Sequence, residues 1–227
     1  MNSVHALWRR KNLPFELNEH QGPSEGPYWE VGFGRLSVLL CSVHGVRHRR
    51  GGEESTSPPK ANDANTGGLV RTLSNDIQCS YAIVLRTEPW VDANSDLAHP
   101  LKLELALSLP KSGVRSVVDI HGMTDHHKVD IAIGLSSNEP SSTALADLIA
   151  TPLEEAGFRV DRDGSTSGLQ ARGAGTMTTW AQQLGYQAIQ VEIAKRCRSF
   201  RDTSPEQLCL LYGALRRGLL ATTDSNL

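Results

Sequence analysis

The sequence has little of what would mark a membrane-spanning, nucleic-acid-binding or disulfide-framed protein. Its longest apolar runs, such as Leu36 to Val43, fall well short of the roughly 20 residues that a transmembrane helix needs. Neither sign of charge is in excess: 23 basic residues face 25 acidic ones, for a formal net charge of −2. That balance gives no global pull toward nucleic acid or an anionic membrane, and neither is expected as a partner. Arg9, Arg10 and Lys11 near the start are not followed by an apolar stretch, so no secretory signal is expected and the expected compartment is the cytoplasm. Cysteine is sparse, and Cys41, Cys79, Cys197 and Cys209 form no CxxC pair, which points to buried thiols rather than disulfides or a thiolate metal site. Apolar residues make up 39% of the 227, somewhat under the globular norm but enough for one core. One domain over 1–227 is expected, with 1–30 as an irregular N-terminal segment.

What the chain does have is a set of short apolar runs bounded by turn or polar residues. They are 36–43, 81–85, 114–120, 129–133 and 187–193, and continuous apolar character over such lengths fits strands buried on both faces of a sheet. Between them lie stretches of helical period at 66–77, 97–109, 141–156, 176–184 and 204–220, the last opened by Ser204-Pro-Glu-Gln, a capping signal with Pro in the first turn. Strands alternating with helices predict an α/β sandwich around a mainly parallel sheet. Two long loops remain, 45–65 and the glycine-rich 161–175, and loops of this length in a compact domain are functional or disordered.

The strongest chemical signal is a repeated pattern of strand, histidine and glycine: Ser42-Val-His44-Gly45 and Val118-Asp-Ile-His121-Gly122. Sites in open α/β sheets form beyond the carboxyl ends of strands, so both imidazoles are expected at one sheet edge, with the glycines allowing a sharp turn and room for a ligand. Asp119, two residues before His121 on the same side of the strand, is placed to fix that ring's tautomer. Glu192 interrupts an otherwise apolar strand. A buried carboxylate requires a cation or a proton-transfer role, and Lys195, Arg196 and Arg198 are nearby alternatives as ion-pair partners. Two histidines and a carboxylate around an open position is the pattern of a catalytic zinc site, with a separate carboxylate moving the proton. The third ligand is sought in the 45–65 loop, among Glu53, Glu54 and Asp63.

These pieces resemble the N-formylglutamate amidohydrolase-like proteins, related to phage poly-γ-glutamate hydrolases and more distantly to zinc carboxypeptidases. The resemblance runs from about Val38 to Arg198 as scattered motifs: Ser-Val-His44-Gly, Asp119-Ile-His121-Gly-Met, Val129-Asp-Ile-Ala-Ile-Gly134 and Gln190-Val-Glu192-Ile. It implies a phosphorylase/hydrolase-like three-layer sandwich with a mainly parallel mixed sheet. It also implies that Val91-Asp92-Ala-Asn94 contacts substrate. Asp63-Ala-Asn-Thr66 matches the acid-x-x-Thr pattern that carries the middle ligand in the poly-γ-glutamate hydrolases, with Asp for Glu and a longer spacer from the first histidine. Asp63 is therefore the first choice and Glu54 the alternative, and Asp63 as a cap on the helix from Thr66 stays open. The family's Asn is often followed by Arg, whereas Asn94 is followed by Ser95. Arg86 and Arg172 stand in as candidates for pairing a substrate carboxylate. His48, His126 and His127 are expected to face solvent, within or beside basic residues.

The expectation is thus a Zn2+-dependent amidohydrolase. His44, Asp63 and His121 hold the metal, Glu192 acts on water, and Asp92, Asn94, Arg86 and Arg172 meet a small-molecule or peptide amide. The implied substrate is an acylated amino acid or a γ-glutamyl-type amide. Two rivals stand beside it: a zinc peptidase acting on peptide or cell-wall amides, and a non-catalytic binding module on the same fold.

Overall fold

A computed structural model describes residues 2–49, 60–136, 140–171 and 173–224. The elements run α1 (Asn2–His20), β1 (Trp29–Gly32), β2 (Leu36–Ser42), α2 (Thr66–Ile77), β3 (Cys79–Val84), α3 (Pro100–Ser108), β4 (Ser116–Met123), β5 (Ile131–Gly134), α4 (Pro140–Glu155), β6 (Val160–Asp161), α5 (Met177–Gln183), β7 (Gln187–Ala194), α6 (Lys195–Arg198) and α7 (Pro205–Asp224). The strands form one sheet in the order β1-β3-β2-β4-β7-β5-β6. The β3-β2-β4-β7 core is parallel, as is β5 with β6, while β1 and β5 join antiparallel. Helices flank it to give the expected three-layer sandwich: α2 and α4 each pack on α7, the three cover β2, β3 and β7, and α5 packs on β4 and β7.

The central strands form where valine, isoleucine and leucine run without a polar break, because both their faces are covered. Val38 to Cys41, Val117, Val118, Ile189, Val191 and Ile193 are all fully buried. Each such side chain contributes about 1.5–3 kcal/mol relative to exposure. The strand at 114–120 is longer than expected: β4 runs on to Met123 because its pairing with β7 continues to Met123↔Ala194. Helix α3 starts later than the apolar period suggested. His99 caps it by accepting the Leu101 N–H, and Pro100 fixes the first turn. Helix α7 starts at its proline as expected, with Ser204 Oγ accepting the Gln207 N–H.

Residues 1–30, expected to be irregular, instead carry α1 and the first residues of β1. The inward face of α1 is Trp8, Asn12 and Phe15, all buried, at a spacing of four and then three. A polar residue in the middle of that stripe hides the period. The helix breaks near its end, where Leu17 is extended and Asn18 and Glu19 are left-handed. Phe15 and Asn12 lie so close to α2 that a Cβ at Gly67 or Gly68 would collide with them. Among the described residues, no helix is long and apolar enough to cross a membrane.

Candidate metal centre

The sheet sets the positions of the chemical groups. His44 follows β2 by two residues, whereas His121 lies within β4 rather than after it. Register pairs His121 with Glu192 on the neighbouring parallel strand β7, so both stand side by side on one face. Asp63 enters from the segment before α2, its N–H donating to the His44 carbonyl (2.7 Å).

The three side chains converge. His121 Nδ1 is 3.0 Å from Asp63 Oδ2, and His44 Nδ1 is 3.6 Å from the same oxygen. The ligating atoms of His44, Asp63 and His121 all lie within 4.8 Å of one another. Donors about 2.0–2.1 Å from a tetrahedral ion sit roughly 3.4 Å apart, so these separations bracket what zinc requires. The rings of His44 and His121 meet nearly edge to face, with centroids 4.7 Å apart and planes at 80°. Each histidine is held from behind by a carboxylate: His44 Nε2 contacts Asp92 Oδ1 (2.8 Å) and His121 Nε2 contacts Asp119 Oδ2 (2.7 Å). A carboxylate on the far nitrogen keeps the proton there and turns the Nδ1 lone pair toward the centre, the usual support of a metal-binding histidine.

A second group, His44, His48 and Asp92, also brings three ligand atoms together. Ring geometry excludes it as a joint site. His48 stacks face to face on His44, with centroids 3.8 Å apart and planes within 6°. Imidazole lone pairs lie in the ring plane, so two parallel rings at that spacing cannot both aim at one ion.

Charge tells the same story as geometry. Asp63, Asp92, Asp119 and Glu192 are four largely buried carboxylates, and the buried cations acting on them are Lys102 and Arg198. With Glu192 ionised, the four acids outnumber these two cations by two among the described residues. In the metal-free chain protons fill the gap. Burial alone would lower the His44 pKa, but Asp63 and Asp92 raise it to about 9, and Asp119 and Asp63 hold His121 well above its ordinary value against the same burial. A divalent cation would supply the same charge. Burial pushes Glu192 up to about 7 despite the opposing charge of His121, and Gln190 Nε2 donates to it at 2.7 Å. Burial lowers His48 to about 4, leaving it neutral.

The other expected residues fall as follows. The Asp63 side chain does not cap α2: Asn65 is the cap residue, with no side-chain capping bond, and the Asp63 carboxylate faces the histidines. Asp92 is committed to His44 and to the Asn94 N–H (2.8 Å), and the Asn94 side chain accepts from the Met177 N–H (2.8 Å), fixing the start of α5. Arg86 donates to the Ser24 carbonyl (2.9 Å) and lies over the Tyr28 ring. Glu53, Glu54 and Arg172 lie outside the described residues. A cleft of about 390 Å³ is lined by Gln21, Tyr28, Arg49, Thr87, Glu88 and Pro89. It adjoins the centre through Arg49, whose carbonyl accepts the Asp92 N–H (3.0 Å), but none of His44, Asp63, His121 or Glu192 lines it.

Two expectations need correcting. His48 is buried rather than exposed, because its carbonyl pairs with the Lys60 N–H (2.8 Å) and folds the basic segment back onto His44. The glycines after the histidines serve packing: a Cβ at Gly122 would collide with the Arg198 guanidinium, and one at Gly45 would press on Gly67 and Phe15. Lys102 was not expected at the site, its signal being a charge between Leu101 and Leu103; Arg198, expected as one of three alternative ion-pair partners of Glu192, does act on that carboxylate.

No protein-family model matches the sequence, and no curated protein sequence matches it. Solved structures share its fold. A bacteriophage poly-gamma-glutamate hydrolase aligns with a TM-score of 0.53 at 14% identity, over 88% of this chain and 92% of that one. A gene product from Agrobacterium tumefaciens gives 0.60 at 14% identity, over 88% and 94%. An N-formylglutamate amidohydrolase from Ralstonia eutropha JMP134 gives 0.51 at 12% identity, over 86% and 97%. The two protein types that the motifs resembled are thus both among the structures of like fold. At these identities the likeness establishes the fold alone.

Proposed function

We propose that this chain is a zinc-dependent hydrolase of C–N amide bonds, acting on an N-acylated amino acid or a γ-glutamyl-type amide. The observation that carries the reading is the convergence of His44, Asp63 and His121, with a carboxylate behind each imidazole. Two imidazoles and one carboxylate with a position left open is a donor set of catalytic zinc. An ion held there would polarise the amide carbonyl and ease the ionisation of water.

The protein's own part is positional and protonic. Asp92 and Asp119 keep the Nε2 protons of His44 and His121 and so orient both rings. Glu192 stands beside His121 and is poised near neutrality, where a general base also serves as a general acid. It takes the proton as a water O–H bond breaks and the C–O bond forms. It returns that proton to the nitrogen as the C–N bond breaks, giving a carboxylic acid and an amine.

The substrate class rests on the motif resemblance and on the fold shared with two amide hydrolases. Elemental analysis of wild type and of His44→Ala, Asp63→Ala, His121→Ala and Glu192→Gln tests the centre. About one zinc per chain is expected in wild type and in Glu192→Gln, and much less in the other three. Glu192→Gln is expected to hydrolyse N-acyl amino acids and γ-glutamyl amides 10²–10⁴-fold more slowly, roughly the usual contribution of a general base. Absence of zinc from wild type after zinc is supplied would overturn the proposal. Bound zinc with no amide cleaved would leave a binding module.

A further inference from the structure

Asp63 is the one proposed ligand that no strand carries or directly precedes, so something else must hold it. The residues that follow it are fixed unusually completely. Asn65 adopts a left-handed backbone (φ 73°), which asparagine tolerates better than most residues. Its carbonyl accepts from the Trp8 indole (2.9 Å), its Oδ1 from Asn12 Nδ2 (2.8 Å), and its Nδ2 donates to the Arg198 carbonyl (2.8 Å). Arg198 is buried and spends its guanidinium on carbonyls: Ile193 at the end of β7 (3.0 Å), Met123 at the end of β4 (3.5 Å), and Ala64. These contacts tie the residues immediately after Asp63 to α1 and to the ends of the two strands that carry His121 and Glu192. Gly122 provides the space through which the arginine reaches them.

Taking the metal-centre reading as given, we propose that Asn65 and Arg198, together with Trp8 and Asn12 of α1, are positioning residues for Asp63. They set the metal affinity of the centre without touching the ion. The N-terminal helix is thereby part of the site's framework.

The test is the dissociation constant for Zn2+ alone, measured by competition with a chromogenic chelator. Asn65→Gly leaves the left-handed backbone accessible and deletes both side-chain bonds. Trp8→Phe removes only the indole donor. Tyr212→Phe, which loses a bond to Asp76 near the far end of α2, is the control for a purely structural effect. Asn65→Gly is expected to bind zinc about 10–100-fold more weakly, the usual effect of losing outer support to a ligand. Trp8→Phe should weaken binding severalfold and Tyr212→Phe should not change it. Unchanged zinc affinity in Asn65→Gly and Trp8→Phe, with wild type binding normally, overturns the inference while leaving the metal centre standing. Failure of wild type to bind zinc overturns the metal centre itself. Trp8→Phe decides the matter if Asn65→Gly does not fold.

Discussion

Metal binding should expel about two protons, and its affinity should climb steeply with pH. In the metal-free chain burial works against charge on His44, yet the Asp63 and Asp92 contacts hold its pKa at about 9; His121 is held well above 6.5 by Asp119 and Asp63. Coordination through Nδ1 requires each ring to lose the proton on that atom while the Nε2 proton stays in place, hydrogen-bonded to its carboxylate. Where both rings are protonated, two protons leave per ion, so affinity should rise by about 100-fold per pH unit, or about 2.7 kcal/mol per unit. Calorimetry in two buffers of different ionisation enthalpy counts the protons directly. The comparison belongs at pH 8, above the Glu192 value of about 7, where Glu192 is already largely ionised and adds little to the count. The sign for the free protein is opposite. The His44 pKa is raised by folding, so its stabilising contribution is complete below pH 6.5 and is lost as pH rises through about 9. Metal-free protein should therefore lose thermal stability across that window while metal-loaded protein gains on it. Proton release near zero at pH 8, or an affinity flat between pH 7 and 8, would mean the rings are neutral in the free chain and would refute the charge argument.

Three further outcomes follow from particular contacts. Asp92→Asn should weaken zinc binding by about 10–100-fold while sparing the fold, read by chelator competition and circular dichroism, because it alters the support behind His44 and not a ligand. Metal-free Glu192→Gln should be more stable than wild type above pH 7. Folding raises the Glu192 pKa from 4.5 to about 7, chiefly by burial, so the carboxyl stabilises fully below pH 4.5 and loses that contribution as pH passes 7. The gain is up to about 3 kcal/mol, measured by urea titration at pH 8, with no gain expected at pH 4. Leu40→Ala, at a fully buried position in β2, should cost about 2–5 kcal/mol in the same assay.

What could be read in the sequence was what depends on near neighbours. The period of apolar residues located β2, β4, β7 and all of α2, since burial on both faces or one face imposes its own spacing. His44, His121 and Asp119 were visible because a strand's alternation fixes which residues share a side. Helix α1 was hidden because its buried face includes Asn12, whose partner Asn65 lies 53 residues away. Strand β1 was hidden because it is a half-buried edge of four residues. His48 looked like part of a solvated basic run, and only its pairing with Lys60 turns it inward.

The same distinction governs the functional reading of the acids. Asp92 and Asp119 do equivalent work on His44 and His121, yet one was read as a substrate contact and the other as a support. Asp119 is two residues from its histidine on one strand, whereas Asp92 reaches His44 across 48 residues of chain. Local spacing reveals the first and only the folded topology reveals the second. The balance of four carboxylates against Lys102 and Arg198 is more distant still, since it joins groups from six segments. That balance favours added positive charge at this point. Protons on the imidazoles supply it in the metal-free chain, and a divalent cation bound there would compete with them for the same nitrogens.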